Sequence, residues 1–408
     1  MNRILRFIYS KITNLIMCPY KMITPVIAAN KKSKTLTKKK NSSHKTIKVG
    51  FIVQLPEVWD KEAPLYENML LDKRFDCYLI IVPNYDIVHN KLAKYGEEKK
   101  YFYKKYPNAN IVLLKNKHDN PIDDSFDFVF YQRCWENYLP KQLRCKSISR
   151  YAMTCYIPYC YHCAPETTDY YRNDFFWYLS RFYCCSKEQH FQVSKIRGVT
   201  STYLGFPVLE TIKHQFSTND NSKVNILWTP RWSDDLSLGG TAFKKYKDNI
   251  FELKDVSDNV NLVLRPHPLL FENAIKNKWM TDTEVNQYYS TIKEKGALLD
   301  ENEFIEETFN NTDILVTDFS SSIVFFFLTG RPIIYCTEQI FKVTKVYKCI
   351  YECLYIAKSF EEVKQITADL VNGIDPLYEK RQETIKKIKG KPGSVERIKN
   401  DLLNYLYK

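Results

Sequence analysis

Residues 313–329 read Asp-Ile-Leu-Val-Thr-Asp-Phe-Ser-Ser-Ser-Ile-Val-Phe-Phe-Phe-Leu-Thr. A short apolar strand, Ile314 to Val316, runs into Thr317-Asp318-Phe319, and three serines then open an apolar helix. The first turn of a helix carries amide groups without intrahelical partners and the positive end of the dipole, so it suits a phosphate. Ser320, Ser321 and Ser322 add hydroxyl donors without bulk. The plainer alternative is that Asp318 or Ser320 only caps the helix.

The chain has 11 glycines in 408 residues. None falls in a G-x-G-x-x-G or G-x-x-x-x-G-K-[ST] arrangement, so both glycine-rich phosphate cradles are absent. A nucleotide would therefore rest on serine-capped helix ends and side-chain cations. Leu262-Val263-Leu264-Arg265-Pro266-His267-Pro268 supplies such cations at an apolar strand end, in a turn stiffened by two prolines. Asn225-Ile226-Leu227-Trp228-Thr229-Pro230-Arg231-Trp232 repeats the pattern. Strands of an open parallel sheet present their carboxyl ends along one edge, where ligands bind. Thr229, Arg231, Arg265, His267, Thr317, Asp318, Ser320, Ser321 and Ser322 thus outline a diphosphate site, with Trp228 and Trp232 placed to flank a base.

These segments resemble the CDP-glycerol glycerophosphotransferases, which build teichoic acids and related phosphate-linked capsular polymers. The resemblance lies in Ile226 to Trp232, Leu264 to Pro268, and Asp313 to Ser322 followed by Gly330-Arg331-Pro332-Ile333-Ile334-Tyr335. It is good over about residues 200–340 and weaker over 48–200, where Val49 to Val53, Phe128 to Gln132 and Cys155 to Tyr159 carry it. It implies a GT-B architecture, two facing Rossmann-like domains with parallel sheets and an interdomain cleft, the donor held mainly by the second domain. It also implies attack of an acceptor hydroxyl on a CDP-polyol, moving polyol phosphate and releasing CMP.

The pattern of the chain agrees independently with an α/β fold. At ~100–200 residues per domain, the length predicts two or three domains. Strand-like runs at 47–53, 76–83, 110–114, 125–131, 154–159 and 181–185 alternate with helical segments, and a second alternation starts at 224. We expect an acceptor domain over 47–204, a polar linker over 205–222, and a nucleotide-donor domain over 223–408. One of the Lys- and Glu-rich helices after 359 is expected to cross back to the first domain.

Residues 1–48 hold twelve Lys and Arg and no acidic residue, which leaves 48 basic and 47 acidic residues in 49–408. The formal charge of +13 is therefore an amino-terminal property. Ile4, Leu5, Ile8, Ile12, Leu15 and Ile16 share one helical face, and Lys31 to Lys40 follow as a basic linker. The uncharged runs there have nine residues, short of the ~20 that span a bilayer. Residues 1–46 are expected to hold a cytoplasmic protein peripherally on the anionic inner face of the membrane, with nucleic acid an unfavoured partner.

Twelve cysteines without an export signal point to reduced thiols. Cys155, Cys160, His162 and Cys163 lack the spacing of a zinc knuckle, and the Asp123-Asp124 and Asp234-Asp235 pairs make poor magnesium sites. No metal or cofactor is expected. Transfer to a hydroxyl needs a general base, and His162 follows a first-domain strand that ends in Pro and aromatics. The family carries a His-Gly-Thr-type turn here, whereas this chain reads Tyr159-Cys160-Tyr161-His162-Cys163, so Glu166 and Asp169 stay open as alternatives. The aromatic run from Tyr151 to Tyr183 suits a core more than an acceptor platform.

The favoured function is transfer of glycerol or ribitol phosphate from a CDP-polyol to a glycan or polyol-phosphate acceptor, with His162 and His267 catalytic. A GT-B glycosyltransferase using a nucleotide-sugar is the alternative. A non-catalytic membrane scaffold is the third.

Overall fold

The computed structural model describes residues 3–41, 46–86, 89–164, 168–212, 223–234, 240–302, 305–336 and 343–407, without the side chains of 3–18 and 306. Glu166, Asp235, His44, His214, the face from Ile4 to Ile16 and most of the 205–222 linker lie outside that description.

The chain forms two compact units, one of residues 1–160, 166–211 and 391–408, the other of 161–165 and 212–390. In the first, β1 (Ile47–Val53), β2 (Phe75–Ile81), β5 (Asn110–Leu113), β6 (Phe128–Tyr131), β7 (Met153–Tyr156), β8 (Arg181–Tyr183) and β9 (Ser201–Thr202) pair in the order 5-2-1-6-7-8-9. Every pairing is parallel. Two-residue strands β3 (Tyr85–Asp86) and β4 (Lys91–Leu92) make a separate antiparallel pair. Ile-Lys-Val-Gly-Phe-Ile-Val and Phe-Val-Phe-Tyr are near-continuous apolar runs because a parallel strand is covered on both faces. Gly50 leaves room in β1 for its neighbours, since a Cβ there would meet Ile80 Cδ1 at 2.8 Å and the Phe126 ring at 3.1 Å.

The second unit holds β10 (Val224–Thr229), β11 (Val260–Leu264), β12 (Leu298–Leu299), β13 (Ile314–Thr317), β14 (Ile333–Tyr335) and β15 (Tyr355–Ile356). They pair in the order 12-11-10-13-14-15, again all parallel. Each sheet reverses its strand order once, between β1 and β6 in the first unit and between β10 and β13 in the second. Such a switch point opens a crevice beyond the carboxyl ends of the strands.

The aromatic run packs as core: Tyr156, Tyr171, Phe175, Phe176, Trp177 and Phe182 are buried together in the first unit. Two boundaries differ from the expected ones. Residues 391–408, carrying the helix expected to cross back, close on the first unit and not on the second, because Glu210 accepts the amides of Gly393 and Ser394 (2.8 and 2.7 Å). Asp401 on the same returning segment accepts from Arg181 and Tyr183, both at 2.9 Å. Residues 161–165 join the second unit.

The amino-terminal segment also differs. Arg3–Lys40 is one helix, so Lys31 to Lys40 is not a linker. Lys32 is buried and donates to the Leu179 carbonyl (2.9 Å) and to Thr200 Oγ1 (3.1 Å). Burial pushes its pKa down to about 8. Thr35 donates to the Ser149 carbonyl at 2.8 Å and buried Lys39 to the Asp124 carbonyl at 2.6 Å. These lysines are spent on the first unit. Among the described residues no helix is long and apolar enough to cross a membrane.

Candidate active site

The switch point of the second unit brings the ends of β10 and β13 side by side. Thr229 and Thr317 face each other in register, their hydroxyls 2.8 Å apart, and Thr317 Oγ1 also donates to the Thr229 carbonyl at 3.0 Å. Thr317 is 1% exposed and Thr229 half-buried, so their hydroxyls weld the two strand ends.

Asp318 is equally buried and fully occupied. Its carboxylate accepts the Arg231 amide (3.0 Å), the Thr241 hydroxyl (3.1 Å) and the Ala242 amide (3.1 Å). Burial pushes its pKa up to about 6, while these donors pull the other way. A carboxylate here would repel phosphate, so Asp318 organises the turn and is not a donor-binding group. Thr241 and Ala242, the residues that hold it, carried no recognisable sequence signal.

Arg231 is the cation this arrangement presents. Its Nη1 donates to the Phe319 carbonyl at 3.3 Å, and the guanidinium lies 5.4 Å from the Phe319 ring and 6.0 Å from that of Trp232. Trp232 packs against His267, ring centroids 6.2 Å apart, and the His267 amide reaches the Pro230 carbonyl at 3.4 Å. Arg231, Trp232, His267 and Phe319 thus form one connected surface over the switch point.

His267 is exposed as a residue, yet its ring is crowded at the strand end. That desolvation, and then the charge of Arg231, lowers its pKa. Nδ1 accepts the Leu269 amide at 3.1 Å. A neutral ring accepting at Nδ1 carries its proton on Nε2, so His267 offers a hydrogen-bond donor.

Arg265 turns the other way. Its Nη1 pairs with Asp300 and donates to the Asn302 carbonyl (2.8 Å) and Thr308 Oγ1 (3.2 Å), on the β12 side of the sheet. Burial works against the Asp300 charge, but bonds from Thr308 and Arg265 outweigh it and lower its pKa. Asp300 thus pairs with the guanidinium that was expected to bind the donor. Trp228, expected to flank a base, is 1% exposed and stacked on Phe243 at 5.7 Å.

The serine turn is self-capped. Ser320 Oγ lies 2.8 Å from Ser322 Oγ and accepts the Ser322 amide at 3.2 Å, and the helix Ser322–Phe327 is only six residues long. The hydroxyls of the turn, more than a helix dipole, are what it can offer an anion.

His162 belongs to the second unit, which corrects its expected place on the first domain. Thr344 holds it there, donating its hydroxyl to the His162 carbonyl (3.0 Å) and its amide to the Cys163 carbonyl (2.8 Å). Thr344 also caps the helix Lys345–Tyr351, whose Tyr347 ring lies 5.3 Å from Phe319. The His162 segment is thereby anchored next to the Arg231 crevice. The residue is 5% exposed, and burial pushes its pKa down to about 4. Asp169, the alternative base, is engaged by Lys21 at 3.0 Å on the surface of the first unit. Among the described residues no group of three or more His, Cys, Asp or Glu side chains is placed to hold a metal ion.

Two parallel sheets with their binding edge at a switch point define an α/β protein of the GT-B type. Residues 207–392 match the family described as CDP-Glycerol:Poly(glycerophosphate) glycerophosphotransferase, and over that stretch the chain is a glycerophosphotransferase-like transferase. No curated protein matches the sequence. Among solved structures the wall teichoic acid polymerase TagF is similar at 13% identity and a TM-score of 0.58, over 99% of this chain and 98% of that one. A TagF structure with CDPG gives 13% and 0.56, over 97% and 98%. The UDP-GlcNAc 2-epimerase of Neisseria meningitidis bound to UDP-GlcNAc gives 11% and 0.56, over 88% and 100%. At such identities the shared property is the fold.

Proposed function

We propose that the chain transfers polyol phosphate, glycerol phosphate or ribitol phosphate, from a CDP-polyol to an acceptor hydroxyl in the synthesis of a teichoic-acid-like or capsular polymer. The observation that carries this reading is the Arg231–His267–Phe319 surface at the switch point of the unit that matches the glycerophosphotransferase family. Arg231 and the Nε2 proton of His267 would hold the diphosphate oxygens, with the hydroxyls of Ser321 and Ser322 beside them. Charge on those oxygens grows at the transition state, so these donors favour it over the bound donor.

In the reaction, the acceptor oxygen forms a bond to the polyol-bearing phosphorus. The bond from that phosphorus to the bridging oxygen breaks, and CMP leaves with the bridging oxygen. We assign the acceptor proton to His162, which burial keeps unprotonated and Thr344 anchors near the crevice. A pKa near 4 makes it a weak base, so the assignment requires the ring to meet the acceptor when substrates bind.

The apolar side chains of Met22, Ile23, Val26 and Ile27 are 59, 56, 43 and 45% exposed on one face of the amino-terminal helix, with Lys34 and Lys40 exposed further along. Apolar side chains beside lysines suit the surface of an anionic bilayer, each lysine adding about 1 kcal/mol. We place the peripheral membrane contact there, on the cytoplasmic face.

A second reading, glycosyl transfer from a nucleotide-sugar, is favoured by the likeness to an epimerase solved with UDP-GlcNAc. The nucleotide product separates the two. CMP released from CDP-glycerol or CDP-ribitol supports the proposal, whereas a nucleoside diphosphate released from a sugar donor replaces it.

A further inference from the structure

Beside Arg231 the second unit buries a hydroxyl that its own fold leaves unused. Tyr347, on the helix Lys345–Tyr351, is 1% exposed, and its Oη finds no hydrogen-bond partner among the described residues. A buried tyrosine hydroxyl ordinarily finds one, because a donor left unmet keeps its whole desolvation penalty. An exception calls for a cause, and a ligand that completes the bond is one.

The surroundings of Tyr347 say what that ligand would be. Its ring lies 5.3 Å from the Phe319 ring, which in turn lies 5.4 Å from the Arg231 guanidinium. The Phe319 carbonyl accepts Arg231 Nη1, and Phe319 itself is only half-buried. Thr344 fixes the helix: its hydroxyl accepts the Tyr347 amide at 3.4 Å and donates to the His162 carbonyl. Tyr347 is thus packed against the turn after β13 and joined through Thr344 to the His162 segment.

Burial pushes the Tyr347 pKa well up, helped by Tyr335 at the end of β14 and by the Cys163 thiol, while the Arg231 charge opposes them. The hydroxyl therefore keeps its proton and is a neutral donor within electrostatic reach of Arg231. A guanidinium has only donors to offer, so Arg231 cannot accept that proton. The Asp318 carboxylate of the same turn is taken by Arg231, Thr241 and Ala242. An oxygen of a phosphate held by Arg231 would meet both donors at once.

We propose that Tyr347 is a further residue of the diphosphate site, its hydroxyl donating to a phosphate oxygen beside Arg231 once the Phe319 ring turns aside. The inference rests on the CDP-polyol reading and adds to it a neutral contact that recognises the phosphate and not the base.

The test uses the full chain and calorimetric titration with CDP and with inorganic pyrophosphate, beside thermal unfolding. Tyr347→Phe removes one oxygen and keeps the ring. We expect it to weaken binding of both ligands about tenfold and to keep or raise the melting temperature, since the oxygen removed is unmet in the free protein. Tyr66→Phe is the control, because that hydroxyl is also buried without a partner among the described residues, but in the first unit. It should keep or raise stability with CDP affinity within twofold of wild type. Affinities within twofold of wild type in Tyr347→Phe overturn the inference, as does an equal loss in Tyr66→Phe. A marked fall in the melting temperature of Tyr347→Phe overturns it too, by showing that the fold itself uses the hydroxyl. A wild-type chain that binds pyrophosphate but not CDP strikes the cytidine donor alone and leaves the contact to be read with pyrophosphate. A chain that binds neither overturns both.

Discussion

The Asp318 carboxylate accepts the Arg231 backbone amide at 3.0 Å, tying the turn after β10 to the turn after β13. The same carboxylate accepts from Thr241 and Ala242, so one buried side chain sets where the Arg231 guanidinium points. Asp318→Asn replaces one acceptor oxygen by an NH2 that must face an N–H or O–H donor. An unmet buried donor costs about 1–3 kcal/mol, and we expect a loss of that size in the unfolding of the second unit by urea. CDP binding should weaken in parallel. A variant as stable as wild type would show that the turn is held otherwise.

Arg231 and Arg265 end neighbouring strands yet should behave differently. Charge-assisted hydrogen bonds contribute about 1.5–3 kcal/mol, so Arg231→Ala should weaken CDP binding roughly 10- to 100-fold. Arg265→Ala leaves Asp300 buried without its partner and should lower thermal stability, with CDP affinity kept within about threefold of wild type. Calorimetric titration beside thermal unfolding distinguishes them. Equal losses of affinity would return Arg265 to the site.

His162 titrates near 6.5 when unfolded and at about 4 when folded, so its folded pKa is depressed. The stability it permits is complete above about pH 6.5 and is lost as pH falls toward 4, because the unfolded chain then binds the extra proton. At about 1.4 kcal/mol per unit, the loss by pH 4 is roughly 3 kcal/mol. His162→Gln should flatten stability against pH between 6.5 and 4, relative to wild type. Asp318, raised to about 6, acts with the opposite sign but is common to both proteins. If His162 is also the base, the same variant should lose at least a hundredfold in turnover with CDP affinity unchanged. Near wild-type turnover removes that role.

Membrane contact is best tested by substitution. Removing residues 1–46 would strip Lys32, Thr35 and Lys39 from the first unit and confound folding with attachment. Exchanging exposed Met22, Ile23, Val26 and Ile27 for serine should leave thermal stability nearly unchanged and abolish co-sedimentation with anionic vesicles. Undiminished co-sedimentation would place the contact elsewhere.

The strands were legible in the sequence because each is an apolar run cut off by proline, glycine or a polar turn. The run at 47–53 is β1 itself, and Thr-Pro-Arg-Trp and Arg-Pro-His-Pro close β10 and β11. The joining of Arg231, His267 and the Phe319 turn followed from the rule that parallel strands end on one edge. The fate of Arg265 did not, because it depends on Asp300, brought beside it only by the pairing of β11 with β12. The lysines of 31–40 read as a solvated charge run, since nothing local reveals that Lys32 finds backbone carbonyls some 150 residues away. His162 was placed by its distance from β7, whereas Thr344, far along the chain, decides where it sits.

The return of residues 391–408 to the first unit has a bearing on biosynthesis. Glu210 waits for the amides of Gly393 and Ser394, and Arg181 waits for Asp401. The first unit is therefore complete only once residues 391–408 have been made, although the second unit ends at Gly390. A premature stop just after that glycine would injure the half of the protein translated first.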